Sequence, residues 1–255
     1  MERTALGLQH EIMTATKQTA LVTGANKGIG FETARQLARQ GFTVWLASRD
    51  QERGEAAVKD LAGDGDVRLV SLDVTDTESV RAAAARIGDE TGALDVLVNN
   101  AGAGFPEGEG RPSTVRLETL RRSLDVNFYG ALRVTQAFLP LVRQAQAGRI
   151  VNVSTTLASI TTVVSPDSPF EQLPFFAYPA SKTLLNALTG WLAVELENTP
   201  IKVNSVCPGA NATDMNPDPA AQPPAEGAKV VVRAATLAAD GPTGSFFDVN
   251  GPVGW

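Results

Sequence analysis

The stretch LVTGANKGIGFETA, residues 21–34, joins an apolar run to a helical pattern through a glycine-rich turn. The apolar run at 20–24 is typical of a buried strand, and apolar side chains recur on one face of a helix over 29–39. The turn contains Gly24, Gly28 and Gly30. Backbone without a Cβ can approach a ligand closely, and the first amides of a helix favour a negative charge. The stretch therefore predicts a strand, a turn and a helix that bind a nucleotide phosphate.

The alternation of apolar runs and helical patterns continues along the chain. Further strands are expected at 42–48, 67–74, 94–102 with its exit loop, 148–155, 201–209 and 244–251. Further helices are expected at 52–61, 77–90, 117–142, 178 to about 197, and 226–238. Strands rich in Val, Ile and Leu between helices favour a parallel sheet covered on both faces. We predict an α/β fold: a single doubly wound, Rossmann-type domain over residues 18–255 with about seven parallel strands.

Composition excludes several classes of protein. With 43% hydrophobic residues among 255, the chain can bury a large core. The formal net charge of −6 argues against nucleic acid or a membrane surface as a partner. The single cysteine, Cys207, allows no intrachain disulfide, which favours a reducing compartment. No apolar run has the length of a membrane span or resembles a signal peptide, so we expect a cytoplasmic protein.

The N-terminal residues lie outside the periodic pattern. We expect residues 1–17 to form a flexible extension, with either Met1 or Met13 as the natural start. His10 is the only histidine, so neither a Ser-His-Asp triad nor a His-based metal site is expected. We predict no metal.

Further motifs follow the glycine turn in order along the chain. NNAG lies at 99–102, DVN at 125–127, YPASK at 178–182 and PGANAT at 208–213. Together with the T-G-x-x-x-G-x-G spacing of the turn, they resemble the short-chain dehydrogenase/reductase family over about residues 18–251. The resemblance implies an oxidoreductase that transfers hydride between a nicotinamide cofactor and a carbonyl or alcohol.

The YPASK motif places Tyr178 and Lys182 one helical turn apart, where their side chains can share a face. By resemblance they are the catalytic pair: Tyr178 exchanges a proton with the substrate, while Lys182 lowers its pKa and holds the nicotinamide ribose. Asn127 matches the family asparagine that supports a proton-relay water. Where the family usually has a serine that binds the substrate carbonyl, this chain has Thr155, whose hydroxyl can donate the same hydrogen bond. Ser154 is the alternative.

The end of the second strand favours NADP(H) over NAD(H). Ser48 and Arg49 stand where an acidic residue would bind the adenosine ribose of NAD, and Lys27 lies in the glycine turn. Two cations without a carboxylate favour a 2′-phosphate through charge-assisted hydrogen bonds. Asp50 opposes this interpretation, but we expect it to cap the next helix.

The resemblance implies further contacts with the cofactor. Asp73 and Val74 are expected to flank the adenine. Ala101 and Gly102 are expected to line the channel beside the adenosine ribose, and Thr213 to hold the nicotinamide carboxamide. The full set expected to bind or border the cofactor is Gly24, Asn26, Lys27, Gly28, Ile29, Gly30, Ser48, Arg49, Asp73, Val74, Asn99, Asn100, Ala101, Gly102, Tyr178, Lys182, Pro208, Gly209 and Thr213.

Three loops are expected to surround the substrate, at residues 103–112, 156–177 and 210–225. The 22 residues between Thr155 and Tyr178 exceed the family's commonest spacing. Apolar candidates for the pocket wall are Phe105, Phe170, Phe175, Phe176 and Met215. They favour a hydrophobic or aromatic carbonyl compound over a sugar phosphate. The insertion resembles a shortened form of that in the monomeric carbonyl reductases, which favours a monomer over a dimer.

The resulting prediction is an NADPH-dependent carbonyl reductase, reversible as an alcohol dehydrogenase, that acts on a ketone, aldehyde or keto ester. Two alternatives remain: an NAD-linked alcohol or hydroxysteroid dehydrogenase, and a catalytically idle NADP-binding sensor. Comparing turnover with NADPH and with NADH distinguishes the NAD-linked dehydrogenase from the predicted reductase. Detection of any turnover excludes the idle sensor.

Overall fold

The computed structural model of the protein describes residues 17–170 and 173–255. The predictions made for His10, for Met1 and Met13 as starts, and for a flexible extension over residues 1–16 therefore lie outside the described residues. Within the described ranges, no helix is long and apolar enough to cross a membrane. The cytoplasmic location stays a prediction.

Seven parallel strands form one sheet in the order β3-β2-β1-β4-β5-β6-β7. They are β1 (Thr19–Val22), β2 (Thr43–Ser48), β3 (Asp66–Ser71), β4 (Val96–Asn99), β5 (Arg149–Val153), β6 (Lys202–Val206) and β7 (Ser245–Phe247). The chain builds outward from β1 to β3, returns to place β4 beside β1, and then builds outward to β7. This reversal opens a crevice between the carboxyl ends of β1 and β4, where doubly wound sheets bind their ligands.

Helices cover both faces of the sheet. They are α1 (Gly28–Arg39), α2 (Gln51–Asp60), α3 (Thr77–Thr91), α4 (Leu117–Leu124), α5 (Gly130–Val142), α6 (Ile160–Val163), α7 (Ala177–Glu195) and α8 (Pro224–Ala235). α1, α2 and α8 contribute to one apolar cluster and α3, α5 and α7 to another, and the adjacent β1 residues Leu21 and Val22 belong to opposite clusters. The predicted α/β fold, with a doubly wound parallel sheet and helices on both faces, is confirmed.

The helix expected at 117–142 is interrupted. α4 is followed by a π-helical turn, Asp125–Tyr129, and α5 begins only at Gly130. A π turn contains one residue more than an α turn and frequently marks a functional site. The interruption lies beside the segment after β3. At this point a Cβ on Gly130 would lie 2.8 Å from Val74 Cγ2.

The region 156–177, expected as a loop, contains two short helical segments. Thr156–Ala158 forms a 3-10 turn, and α6 follows it directly. Trp255 holds α6 in place, since its carbonyl oxygen accepts hydrogen bonds from the Thr161 amide at 2.9 Å and from the Thr161 hydroxyl at 2.6 Å.

A row of buried polar side chains crosses the middle of the sheet. Asn99 of β4 donates to Asn152 of β5 at 2.8 Å and to Thr135 of α5 at 3.0 Å. Asn152 donates to Thr189 of α7 at 2.8 Å, and Thr189 is 2.8 Å from the hydroxyl of Ser205 on β6. The expectation that Asn99 borders the cofactor channel is therefore wrong for its side chain, which is buried among these partners.

Arg149, the first residue of β5, lies at the amino ends of the strands, opposite the carboxyl ends where the crevice opens. Its side chain is buried, and burial lowers the pKa of its guanidinium. The guanidinium donates to Leu237 O at 2.9 and 2.6 Å, to Ala147 O and Gly148 O at 2.9 Å, and to Pro200 O at 3.3 Å. These carbonyls follow three different helices, so one side chain joins the chain segments that leave α5, α7 and α8.

We predict that Arg149→Leu lowers the free energy of unfolding by about 3 kcal/mol, because it removes five hydrogen bonds that a buried side chain makes to carbonyl oxygens. Urea denaturation measures the change. Arg143→Leu is the matched control, since Arg143 is half exposed and pairs with the exposed Glu195 at 3.2 Å, so its loss is expected to cost less than about 1 kcal/mol. Equal losses in the two variants would contradict the anchoring role.

Candidate active site

The glycine turn after β1 lies against the end of β4. The Thr23 hydroxyl accepts hydrogen bonds from the Asn100 and Ala101 amides, both at 3.0 Å. The Asn100 side chain donates to Thr23 O at 2.8 Å and to Gly24 O at 3.2 Å. A Cβ on Gly24 (φ +61°) would lie 2.9 Å from Ala101 Cα, and one on Gly30 would lie 2.7 Å from Gly24 O. Only glycine allows this approach.

The start of α1 fits the pyrophosphate of a dinucleotide. Lys27, the N-cap residue, makes no side-chain hydrogen bond to the helix, and the first turn contains no acidic residue. The leading amides of α1 are thus not capped by the Lys27 side chain and can bind an anion, while Gly30 packs closely against Gly24 O and the Asn100 side chain. Asn26 lies half-buried at the rim, whereas Ile29 packs against the core behind the turn.

The loop after β6 reaches over the glycine turn. Pro208 is buried at the end of the strand, and Gly209 turns the chain with φ +77°. Thr213 Cγ2 would be 3.4 Å from a Cβ on Gly28, and the neighbouring Asp214 forms an ion pair with Lys27. Thr213 therefore lies beside the turn, and its contact with the nicotinamide carboxamide stays a prediction.

Basic side chains gather where the turn meets α2. An open cavity of about 500 Å³ there is lined by Asn26, Lys27, Phe31, Arg53, Ala56, Ala57, Asp60 and Asp214. Arg49 is exposed, and Asp50 caps α2 by accepting from the Arg53 amide at 3.0 Å, as predicted. Sequence reasoning missed Arg53, because no motif distinguishes an arginine in a first helical turn from ordinary surface charge.

Ser48, expected near the cofactor, does not present its side chain to the crevice. It is buried, and its hydroxyl donates to Asp50 O at 2.8 Å within its own turn. Asp73 is half-buried and accepts from the hydroxyl of Thr75 at 2.7 Å. Burial raises the pKa of Asp73, but hydrogen bonds from Thr75 and the nearby Arg49 together hold it below its usual value. Val74 is buried against Gly130.

Tyr178 and Lys182 lie in the first two turns of α7. Tyr178 is half-buried, whereas Lys182 is buried and donates to Val153 O at the end of β5 at 2.8 Å. A Cβ on Gly102 would lie 3.3 Å from both Lys182 Nζ and Asn127 Oδ1. Lys182, Asn127 and the NNAG motif therefore meet at one point.

Asn127 lies in the π turn, and its side-chain amide is fully engaged. Its Oδ1 accepts from the Ala103 amide at 2.8 Å, and its Nδ2 donates to Ala103 O and to Ser181 Oγ, both at 2.9 Å. The side chain thus ties the loop after β4 to α7.

The end of β5 separates the two hydroxyl candidates. Ser154 is 3% exposed, and its hydroxyl has no partner within the described residues. Thr155 is half-buried, and its hydroxyl accepts from the Leu157 amide at 3.3 Å. Thr183 on α7 donates to Ala158 O at 3.1 Å, which holds the turn after Thr155 against α7. Thr155 is the more accessible of the two.

The protein interior shifts the pKa values of the pair. Burial, with a smaller effect of the neighbouring Cys207, raises the pKa of Tyr178 to about 12. Burial lowers the pKa of Lys182 to about 8. Burial therefore shifts the Tyr178 pKa in the direction opposite to the lowering by Lys182 that the sequence predicted.

The predicted substrate loops approach each other above this edge. Met215, half exposed, would be 3.7 Å through its Cγ from a Cβ on Gly104, so the loops 103–112 and 210–225 meet there. Phe175 is half exposed and Phe176 is the N-cap of α7. Phe105 instead packs under the Arg122 guanidinium at 4.1 Å, and Phe170 is half-buried. No cluster of potential metal ligands occurs among the residues described.

The buried Lys182 gives a test of this geometry that needs no activity. Between pH 8 and 10.5 the unfolded chain binds a proton that folded Lys182 lacks, so raising the pH favours the folded state. We predict that the unfolding free energy of wild type, relative to Lys182→Met, rises across this window by up to about 3 kcal/mol. Urea denaturation at several pH values measures the difference. Parallel pH profiles of the two proteins would show that Lys182 is not desolvated.

Comparisons with known proteins identify the family of the chain. The model of the short chain dehydrogenase family matches residues 18–223. Carbonyl reductase [NADPH] 1 of Mus musculus is 35% identical over 92% of this chain and 97% of its own length. (+)-Neomenthol dehydrogenase of Capsicum annuum is 31% identical over 92% of this chain and 96% of its own.

A solved structure shares the architecture. Salutaridine reductase from Papaver somniferum superposes with a TM-score of 0.77 and 30% identity, covering 91% of this chain and all of that one. The family model spans most of the chain, and the relatives align over nearly their whole length. The chain therefore belongs to the short-chain dehydrogenase/reductase family of oxidoreductases.

Proposed function

We propose that the protein is an NADPH-dependent carbonyl reductase that converts a hydrophobic or aromatic ketone, aldehyde or keto ester to the alcohol, and the reverse. The observation that supports this most is the contact of α7 with the end of β5 and with the loop after β4: Lys182 donates to Val153 O at 2.8 Å, and a Cβ on Gly102 would lie 3.3 Å from Lys182 Nζ. A dinucleotide is expected in the crevice at this edge of the sheet, beside these residues.

Thr155, Tyr178 and Lys182 each have one step in the proposed reaction. When bound, the reduced nicotinamide supplies the hydride. The Thr155 hydroxyl orients the substrate carbonyl, and Tyr178 donates the proton to its oxygen as the alkoxide develops. A pKa of about 12 keeps the Tyr178 phenol protonated near neutrality, which suits a proton donor. Lys182 is positioned beside Gly102 to hold the nicotinamide ribose.

The charges around the turn support NADP(H). Lys27 and Arg53 line the open cavity beside the glycine turn, where they pair with Asp214 and Asp50, and Arg49 is exposed at the end of β2. The capping bond turns Asp50 towards α2. The mouse relative carries NADPH in its name. A 2′-phosphate would be favoured by these cations and would have no carboxylate directly opposing it at the end of β2.

The loops support an apolar substrate. Phe175 and Met215 expose about half of their surface at the rim of the crevice, where a bound ligand would cover them. Relatives named for neomenthol and salutaridine are consistent with a compact apolar ketone.

The sequence favours a monomer, and this stays a prediction. One exposed apolar surface argues against a monomer. Trp191 on α7 is 76% exposed and Val194 is 61% exposed, next to an apolar groove between α5 and α7. An apolar face of this kind often marks an interface.

The first test follows NADPH oxidation with a panel of aromatic ketones, α-keto esters and quinones, with NADH in parallel. We predict that Tyr178→Phe lowers kcat at least about 100-fold, because the proton donor is lost. Tyr129→Phe is the matched control and should keep full activity. Faster turnover with NADH would indicate an NAD-linked dehydrogenase instead. NADPH binding without turnover by wild type would indicate an idle binding protein.

A second test addresses the cofactor. We predict that Arg49→Ala raises the dissociation constant of NADPH about tenfold and that of NADH less than about twofold, because only NADPH has the 2′-phosphate. Lys59→Ala, at the far end of α2, removes the same charge away from the crevice and serves as control. Equal weakening of both cofactors by Arg49→Ala would contradict a 2′-phosphate contact.

A further inference from the structure

The N-cap residue of α7 does not cap the helix with its side chain. The N-cap residue, Phe176, has no side chain that can accept a hydrogen bond from the helix. An N-cap side chain normally bonds the second or third amide of the helix, but Pro179 stands at the third position and has no N–H. The amides of Phe176, Ala177 and Tyr178 therefore need an acceptor from elsewhere in the chain.

Glu109, in the loop after β4, supplies that acceptor. Its Oε2 accepts from the Phe176 amide at 3.0 Å and from the Ala177 amide at 2.9 Å. Its Oε1 accepts from the Tyr178 amide at 2.9 Å. One carboxylate thus satisfies three successive amides, and the last of them belongs to the residue proposed to donate the proton.

The loop that carries Glu109 is itself fixed. Gly108 has φ +85°, and its carbonyl accepts from the Arg116 amide at 3.0 Å. The carbonyl of Glu107 accepts from the Thr119 hydroxyl at 2.7 Å. The start of the loop is held by Asn127 through Ala103. Glu109 therefore projects from a support anchored on α4 and the π turn.

We propose that Glu109 is a positioning residue that fixes the backbone of Tyr178, and so the direction of its phenol, by capping α7 from the loop beside the cofactor channel. The inference rests on the proposed role of Tyr178 as proton donor. Because Gly102 and Ala103 begin the same loop, the loop links the cofactor side of the site to the catalytic helix at Asn127–Ser181 and at Glu109–Tyr178.

Variants of Glu109 distinguish the loss of its capping hydrogen bonds from a general change in packing. Glu109→Gln keeps the shape but presents an NH₂ group, a donor, to at least one of the amides. Glu109→Ala removes the acceptor entirely. Glu107→Gln is the matched control, because Glu107 lies two residues away, is exposed, and makes no side-chain hydrogen bond within the described residues.

The first arm of the experiment is hydrogen exchange followed by mass spectrometry on peptides that cover residues 173–182. We expect the amides of Phe176, Ala177 and Tyr178 to exchange at least about tenfold faster in Glu109→Ala, and faster by a smaller factor in Glu109→Gln, with no change in Glu107→Gln. Exchange at the wild-type rate in both Glu109 variants would show that Glu109 does not cap α7.

The second arm measures kcat, KM and the NADPH dissociation constant for the same proteins. A positioning role predicts that kcat falls about tenfold in Glu109→Gln and further in Glu109→Ala, while NADPH binding changes less than about twofold. Faster exchange with unchanged kcat would overturn the positioning role. Absence of turnover in wild type, or full activity in Tyr178→Phe, would instead overturn the proposed function, and the exchange result would still decide whether Glu109 caps α7.

Discussion

The close approach of the glycine turn to the end of β4 is the constraint on which the site depends. It brings Gly24 into contact with Ala101 and is fastened by hydrogen bonds between Thr23 and Asn100. The chain leaves this contact through Gly102, where Lys182 and the π turn meet it. A side chain on Gly24 or Gly30 would separate these segments, so one packing arrangement positions both α7 and the start of α1, which we propose binds the phosphates.

The two edges of the sheet treat buried charge differently. At the amino ends of the strands, the Arg149 guanidinium donates hydrogen bonds to several carbonyl oxygens. At the carboxyl edge, Lys182 has one carbonyl partner, Val153 O, and its pKa falls to about 8. An incompletely solvated ammonium costs stability, which is a common feature of sites prepared for a ligand. The hydrogen bonds of Arg149 stabilise the fold, whereas Lys182 lies at the edge of the sheet that we propose binds the cofactor.

Much of this could be predicted from the sequence, because it depends on local patterns. The alternation of strands and helices, the glycine turn and the capping role of Asp50 follow from periodicity and near-neighbour chemistry. The π turn, the inward direction of Asn99 and the internal bonding of Ser48 could not, since each depends on packing between distant segments. The contact of Glu109 with α7 joins residues 67 to 69 positions apart, and nothing in its proline- and glycine-rich loop indicates it.

Direct transfer of hydride to a carbonyl carbon is the central claim, and isotope transfer tests it most directly. The wild-type protein is incubated with an aromatic ketone and NADPH that carries deuterium at both positions of the reactive nicotinamide carbon, and the alcohol is analysed by mass spectrometry. The account predicts one deuterium on the carbinol carbon and none on its oxygen after exchange with water. An alcohol without deuterium on carbon, or no alcohol from any ketone of the panel, would contradict it.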